Sequence, residues 1–235
     1  PSPIATVGID RGDNAAILAA QFIGIHDEEI RQRLIDLRME YSLKVKNNDE
    51  DIVQLIEGKK FLQKDFLRVK DLEISEIEFD ENECCSKNKD AEVAILVGRQ
   101  TDLITAKKVS VILDRLKIAH ETKVICPIRS TKRFTNYIKS MSNAKIFIGI
   151  SSNSSQVTGG IVGLTDRPVI GVPCTNENGD DYMLTTVSMP PGVPVATVGI
   201  NNGKNAAILA GEILSISDPS ITKLLEKIKN KKINL

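Results

Sequence analysis

Residues 92–98 read Glu-Val-Ala-Ile-Leu-Val-Gly, and residues 145–151 read Lys-Ile-Phe-Ile-Gly-Ile-Ser. Both are short, nearly continuous apolar runs without the polar alternation of a half-exposed strand, which indicates strands covered on both faces. Three further strands are predicted at residues 122–126, 168–174 and 194–200. From residue 91 onward, the chain therefore alternates buried strands with segments of helical pattern.

The segments between these strands carry apolar residues at helical spacing. The first has Val109, Ile112, Leu113 and Leu116 on one side, and residues 131–143 place Phe134, Tyr137, Ile138 and Met141 inward. Further helices are predicted at residues 157–164, 181–189, 203–216 and 218–232. Alternating strands and helices predict a three-layer α/β/α fold around a doubly wound, flavodoxin-like parallel sheet.

A segment near the start of the chain recurs near its end. Residues 3–19 align with residues 194–210 at a constant offset, with thirteen of seventeen positions identical. Each copy predicts a strand, a turn and an Ala-rich helix. We interpret the repeat as a duplicated domain whose first copy is represented only by its last elements. The first residue is Pro1, so we expect a longer parent chain.

This repeat divides the chain into three predicted parts. Residues 1–46 are the last strand and the tail helices of the first copy, and the second copy occupies residues 91–235. A helix is predicted over residues 27–45, with Ile30, Leu34, Leu37 and Tyr41 on one face. Residues 47–90 are interpreted as a charged connector with a short strand at 72–79 and flexible points at 58–60 and 82–90.

Composition excludes several classes of protein. The 31 basic and 31 acidic residues cancel, which removes the electrostatic argument for a nucleic-acid or anionic-membrane partner. No stretch reaches the roughly 18–20 apolar residues of a membrane helix. Four cysteines without a C-x-x-C pair argue against a disulfide framework or a zinc site. The sequence therefore predicts a soluble, cytoplasmic protein.

Four loops follow predicted strands, at the sheet edge where ligands bind in this fold. They are residues 98–102, 126–131, 151–155 and 175–181. Arg99 and Arg129 stand beside helix starts, a position that favours a phosphate or carboxylate. Ordinary turn and cap residues would give much the same pattern. Neither G-x-G-x-x-G nor a P-loop is present, so dinucleotide and P-loop sites are excluded.

Three segments resemble the PurE family. They are residues 165–173 (Thr-Asp-Arg-Pro-Val-Ile-Gly-Val-Pro), 189–198 (Met-Pro-Pro-Gly-Val-Pro-Val-Ala-Thr-Val) and 205–210 (Asn-Ala-Ala-Ile-Leu-Ala). The family comprises 5-(carboxyamino)imidazole ribonucleotide mutases and aminoimidazole ribonucleotide carboxylases of purine biosynthesis. The resemblance covers residues 91–216 and implies carboxylate transfer to carbon 4 of the aminoimidazole ribonucleotide, with no biotin, metal or ATP. Residues 26–34 resemble the family's C-terminal tail.

The resemblance also implies a substrate-binding set. Gly98, Thr101 and Asp102 match the family's first loop, Gly-Ser-x-Ser-Asp, while Arg99 replaces its first serine. Arg129 matches the phosphate-binding arginine of Ser-Ala-His-Arg. In the third loop, Ser152, Asn153 and Ser154 lie where the family has Gly-Gly-Ala, and Gly159 fits the final glycine. The predicted set is Gly98, Arg99, Thr101, Asp102, Arg129, Ser152, Asn153, Ser154 and Gly159.

Both family histidines are replaced. Ile128 occupies the position of the proton-transferring histidine, and Gln156 that of the third-loop histidine. Isoleucine cannot relay a proton, and a lost general acid/base removes about 10²–10⁴ in rate. The only histidines are His26, which precedes the tail helix, and His120, which precedes the second strand, at the end opposite the loops. No catalytic residue is therefore predicted in residues 91–235.

Three hypotheses stay open at this point. The parent protein is a mutase or carboxylase with catalysis in an upstream copy, or the chain is a structural or nucleotide-sensing module. A changed reaction that uses Arg99 and the Ser/Asn loop is the third. The expected ligand is a phosphorylated aminoimidazole ribonucleotide or a similar anionic nucleotide. The family is typically octameric, so a homo-oligomer with tail helices crossing between neighbours is also expected.

Overall fold

The computed structural model describes residues 2–57, 88, 90–152, 154–176 and 182–230, and of residues 44–57 only the backbone. Helices α1 (Gly12–Ile23) and α2 (Glu28–Glu57) come first. The other elements follow in the order β1 (Val93–Val97), α3 (Leu103–Leu116), β2 (His120–Val124), α4 (Thr131–Ser140), β3 (Ile146–Ser151), α5 (Gln156–Leu164), β4 (Val169–Pro173), α6 (Met183–Val187), β5 (Ala196–Thr197), α7 (Gly203–Ser215) and α8 (Pro219–Asn230).

The five strands form one sheet in the order β2-β1-β3-β4-β5, and every neighbouring pair is parallel. Every residue of β1 and β4 is buried, as their continuous apolar sequences predict. Because β1 pairs with both β2 and β3, the chain reverses its direction of winding between β1 and β3. The predicted flavodoxin-like fold is therefore confirmed, with a crevice at this reversal.

Helices cover both faces of the sheet. On one face, α3, α7 and α8 pack through Leu113, Leu209 and Leu225. On the other, α4 and α5 contribute Phe134, Tyr137 and Ile161. The predicted inward faces of α3 and α4 are buried as expected. No helix in the described ranges is long and apolar enough to cross a membrane.

Three strands differ from the sequence-based prediction. β2 starts earlier than predicted, at His120, and β5 shortens to Ala196–Thr197. The strand predicted at the start of the first copy of the repeat makes only one antiparallel bridge in the described residues, between Thr6 and Thr197. Ile4 and Ile9 remain 74% and 88% exposed. A strand extends only where a neighbouring strand continues the hydrogen-bond ladder, and among the described residues this segment has none.

The helix predicted over residues 27–45 is longer than expected. α2 continues to Glu57, so the predicted connector at residues 47–90 begins as helix. No Gly or Pro lies between Asp27 and Gly58, so nothing in the sequence breaks the helix earlier. The strand predicted at residues 72–79 and the flexible point at 58–60 lie outside the described residues.

Candidate functional site

A cleft of about 340 Å³ opens at the carboxyl ends of β1, β2 and β3. This is the topological switch point of the sheet, where adjacent loops diverge and leave room for a ligand. Its lining residues are Gly98, Arg99, Cys126, Ile128, Arg129, Ser151, Ser154, Gln156 and Val157. The site is thus built by the loops that follow three neighbouring strands.

The loop after β1 forms one wall. Gly98 continues the strand, and its backbone N–H donates to the Ile150 carbonyl at 3.3 Å. A Cβ at this position would lie 3.0 Å from Val157 Cγ2, so any larger residue would require the Val157 side chain at the start of α5 to shift by a few tenths of an ångström. The next residue, Arg99, is exposed and lines the cleft. A 3-10 turn over Gln100–Asp102 then leads into α3.

Asp102 lies beneath this loop, with 5% of its surface exposed. Burial raises the pKa of its carboxyl group, while hydrogen bonds from Ser152 and the charge of Arg99 act in the opposite direction. The contact with Ser152 links the first loop to the third. Within the described residues, Asp102 Oδ2 has no hydrogen-bond partner. Neither Asp102 nor Ser152 lines the cleft, so both support it from behind.

Arg129 connects the loops after β1 and β2. Its Nη2 donates to the Gly98 carbonyl at 2.9 Å, and its side chain also hydrogen-bonds the Cys126 thiol. The guanidinium has more N–H donors than these two bonds use, so donors remain for an anion at the cleft. Arg99 and Arg129 make the cleft positively charged.

Cys126 lines the cleft but was not in the predicted binding set, although it opens the candidate loop at residues 126–131. Burial alone would raise the pKa of its thiol, but backbone N–H groups of Arg129 and Ile128 and the Arg129 side chain outweigh this and lower the pKa. Ser151, which opens the candidate loop at residues 151–155, and Val157, at the start of a predicted helix, were also absent from the predicted binding set. The available signal was position, because Cys126 and Ser151 end the apolar runs of two neighbouring strands.

The N-terminus of α5 supplies the third wall. Its N-cap residue Ser155 makes no side-chain cap bond, and Ser154 Oγ accepts weakly from the Gln156 N–H at 3.4 Å. The first-turn N–H groups of a helix lack partners inside the helix and carry the positive end of its dipole. With Ser154 and Gln156 in the lining, this end of α5 suits an anionic group.

The structure places the sequence-predicted residues in two groups. Gly98, Arg99, Arg129 and Ser154 line the cleft together with Ile128 and Gln156. Thr101, Asp102, Ser152 and Gly159 lie outside the lining, on the surrounding loops and on α5. Asn153 lies outside the described residues.

Neither histidine reaches the cleft. His120 begins β2, at the end of the sheet away from the cleft, where its Nδ1 lies 3.0 Å from the Ile118 carbonyl oxygen. His26 joins α1 to α2, with Nε2 2.5 Å from Ser217 Oγ. The described lining contains no His, Asp or Glu, while Ile128 is 68% exposed at its edge.

Fold and site together define a flavodoxin-like α/β protein with a cationic cleft at its topological switch point. A model of the AIR carboxylase family matches residues 92–234. The "Probable N5-carboxyaminoimidazole ribonucleotide mutase" of Methanobrevibacter smithii is 63% identical over 235 residues, which are 100% of this chain and 69% of that protein. The protein of the same name from Methanothermobacter thermautotrophicus is 43% identical, over 99% of this chain and 68% of its own length. The chain therefore belongs to the AIR carboxylase family.

A solved structure agrees with the fold. The crystal structure of Treponema denticola PurE matches with a TM-score of 0.53 at 24% identity, over 58% of this chain and 88% of that one. The resemblance to the PurE family that the sequence motifs indicated is thus confirmed.

Proposed function

We propose that this protein serves purine biosynthesis by carboxylate transfer on aminoimidazole ribonucleotides, and that residues 91–235 form a copy that binds ligand without catalysing. The observation that carries this is Ile128, which is exposed at the edge of the cleft where family members have a proton-transferring histidine. The family description, AIR carboxylase, and the relatives' name, N5-carboxyaminoimidazole ribonucleotide mutase, support the substrate class and leave carboxylase and mutase activity as alternatives.

The chemistry requires a proton carrier. Attaching a carboxylate to carbon 4 of the imidazole displaces the proton on that carbon, and some group has to remove it. The described lining offers two guanidinium groups, hydroxyls, one amide and one thiol. Gln156 can donate and accept hydrogen bonds but does not exchange a proton near neutral pH, and Ile128 can do neither. The Cys126 thiol, whose pKa is lowered, is the described lining group that can exchange a proton, but it stands at neither of the positions where the family has histidine. Loss of the family's general acid/base removes about 10²–10⁴ in rate.

Catalysis is assigned in this proposal to an upstream copy of the domain. Residues 1–46 would end that copy, residues 47–90 would connect the two, and residues 91–235 would be the second copy. The turn before the helix has the same left-handed conformation in both, with φ of 55° at Asp10 and 54° at Asn201. Since 235 residues are 69% of the Methanobrevibacter relative, that protein has about 340 residues, about 105 more than this chain. A further copy of residues 91–192 would account for 102 of these additional residues.

The cleft of the second copy keeps the features that bind a phosphorylated nucleotide. Arg129 stands at the family's phosphate-binding position, Arg99 adds a charge, and the N-terminus of α5 opens beside them. The alternative is that residues 91–235 form a purely structural or nucleotide-sensing module. In either case we expect the protein to be a homo-oligomer in the cytoplasm. Met39 and Leu43 on α2 are both 58% exposed, which favours a further apolar contact.

Turnover and binding test the proposal separately. The purified chain, assayed with aminoimidazole and carboxyaminoimidazole ribonucleotides, should show no turnover, and Ile128→His alone should not restore it because the third loop is also altered. Calorimetric titration with aminoimidazole ribonucleotide, AMP and inorganic phosphate should show binding of the nucleotides. Turnover similar to that of single-copy family members overturns the inactive second copy. An absence of binding at millimolar ligand favours the structural module.

A further inference from the structure

Two contacts join residues that are separated by the offset of the repeat, one inside the two repeats and one seven residues beyond their ends. Thr6 and Thr197 exchange both backbone hydrogen bonds, at 3.1 and 2.9 Å. His26 Nε2 lies 2.5 Å from Ser217 Oγ, across a separation of 191 residues, the offset of the repeat. An antiparallel bridge in which two equivalent residues exchange both backbone bonds relates the segments that carry them by a local two-fold axis, and the contact between His26 and Ser217 is consistent with that axis. The two repeats therefore face each other across a local two-fold axis.

The symmetry is incomplete at the Gly/Ala face of α1. Ala206, Ala207 and Ala210 of α7 are fully buried, whereas the equivalent Ala15, Ala16 and Ala19 of α1 are exposed. A Cβ on Gly203 would lie 2.5 Å from the Thr105 carbonyl oxygen of α3, while one on Gly12 would meet nothing within 4 Å. The same small residues thus pack tightly against α3 in one repeat and against nothing described in the other.

The equivalent residues Asn14 and Asn205 also differ in burial and in hydrogen bonding. Asn14 is fully buried, donates from Nδ2 to the Pro190 carbonyl at 3.1 Å and accepts from the Gly192 N–H at 2.8 Å. Its equivalent, Asn205, is half-buried, and its side chain makes no hydrogen bond to the part of the chain that the structure describes. Under the two-fold, Asn205 would hold a loop whose register runs up to Pro1, the equivalent of Gly192. Proline has no backbone N–H, so the bond available to Asn205 is the one donated to the carbonyl equivalent to that of Pro190.

We propose that the Gly/Ala face of α1 packs against the α3-like helix and sheet of a second AIR carboxylase-type domain joined ahead of Ser2, and that Asn205 Nδ2 donates to the backbone carbonyl of that domain that is equivalent to the Pro190 carbonyl. The inference rests on the duplication in the proposed function and specifies its interface. A second copy of this chain cannot be the occupant, because its own α7 already covers its α3 at Thr105. The occupant has to be a domain that lacks its last helix, and α1 supplies that helix.

The test compares this chain with an extended chain in which residues 91–192 are repeated ahead of Ser2. In the 235-residue chain, Ala16→Leu should leave the Tm unchanged, while the matched control Ala207→Leu should lower it by about 2–10 °C through overpacking. In the extended chain, Ala16→Leu should lower the Tm as much as Ala207→Leu, and Asn205→Ala should become destabilising. The proposal is wrong if Ala16→Leu leaves the Tm of the extended chain unchanged, or if the extended chain does not fold.

A crosslink tests the axis in the 235-residue chain itself. Thr6→Cys combined with Thr197→Cys should form a disulfide, since residues that exchange both backbone bonds have Cα atoms about 5.5 Å apart. Its absence from the peptide map overturns the two-fold. These measurements follow packing and not turnover. The repeated residues 91–192 carry Ile128 and Gln156, so the extended chain should be inactive whether or not the interface forms. The proposed function fails separately, if the 235-residue chain turns over aminoimidazole ribonucleotides.

Discussion

Asn14→Ala should destabilise the chain more than a substitution of one small polar residue usually does. The side chain is fully buried between α1 and the loop after α6, and it bonds to both sides of that loop's turn. Asn14 Oδ1 accepts a hydrogen bond from the Gly192 N–H, and Asn14 Nδ2 donates one to the Pro190 carbonyl. A third contact, to the Met189 carbonyl, is 3.5 Å long and contributes little.

The magnitude follows from the two good hydrogen bonds. Each neutral bond contributes about 0.5–1.5 kcal/mol net, and a buried N–H left without a partner costs about 1–3 kcal/mol. Alanine favours the helix over asparagine by up to about 0.7 kcal/mol, which offsets part of the loss. The free energy of unfolding should therefore fall by about 1–3 kcal/mol.

Urea denaturation followed by circular dichroism measures this change at constant slope. The control is Asn205→Ala, at the same position in α7, where no described partner is lost. It should change the free energy of unfolding by less than about 0.5 kcal/mol. An Asn14→Ala variant as stable as the parent chain, or an Asn205→Ala loss of equal size, would refute the reasoning.

Four further outcomes are expected. Arg129→Ala should weaken AMP binding by about 10–150-fold, as for a charge-assisted bond, and unchanged affinity in calorimetry would argue against the cleft. Cys126 should react with iodoacetamide at neutral pH faster than Cys174, because hydrogen bonds lower the pKa of the Cys126 thiol despite its burial, whereas burial raises the pKa of the Cys174 thiol. Arg129→Ala should slow the reaction of Cys126. Equal alkylation rates of the two cysteines in mass spectrometry would contradict this prediction. Burial tends to raise the pKa of Asp166, but its bond to Arg31 at 2.6 Å prevails and lowers that pKa below the ordinary value of 3.8. The lowered pKa stabilises the folded state above pH 3.8, and this stabilisation is lost as the pH falls through the lowered pKa. Acidification should therefore reduce the free energy of unfolding less in Arg31→Met than in the parent chain. Parallel pH profiles of the two proteins would contradict this prediction. Light scattering at micromolar concentration should show an oligomer, and a clean monomer would contradict the expected association.

The fold could be predicted because its signal is local. β1 and β4 are apolar at every position that the sheet buries, and Leu113 and Leu116 recur at helical spacing. The candidate site was predicted in part. Arg99 and Arg129 follow strands, so sequence order alone places them at one edge of the sheet, whereas the packing of Val157 against Gly98 depends on how α5 approaches β1.

The sequence by itself determined the turn and the helix of the repeat, but not the glycine before the turn, which has a φ of 109° at Gly8 and no positive φ at Gly199. Asp10 and Asn201 adopt the same left-handed turn, and α1 and α7 begin at equivalent glycines, although their surroundings differ. The short side chains of these turns and the helix propensity of alanine act within a few residues.

Only the tertiary structure decided what those elements touch. Thr197 lies in a paired strand and Thr6 in a lone bridge, and Ala207 is buried while Ala16 is exposed. Burial and strand pairing depend on partners far away in the chain. Residues 194–210 pair with β4 and pack against α3, whereas residues 3–19 contact neither element in this way. Nearly identical sequences therefore share a turn and a helix but not an environment.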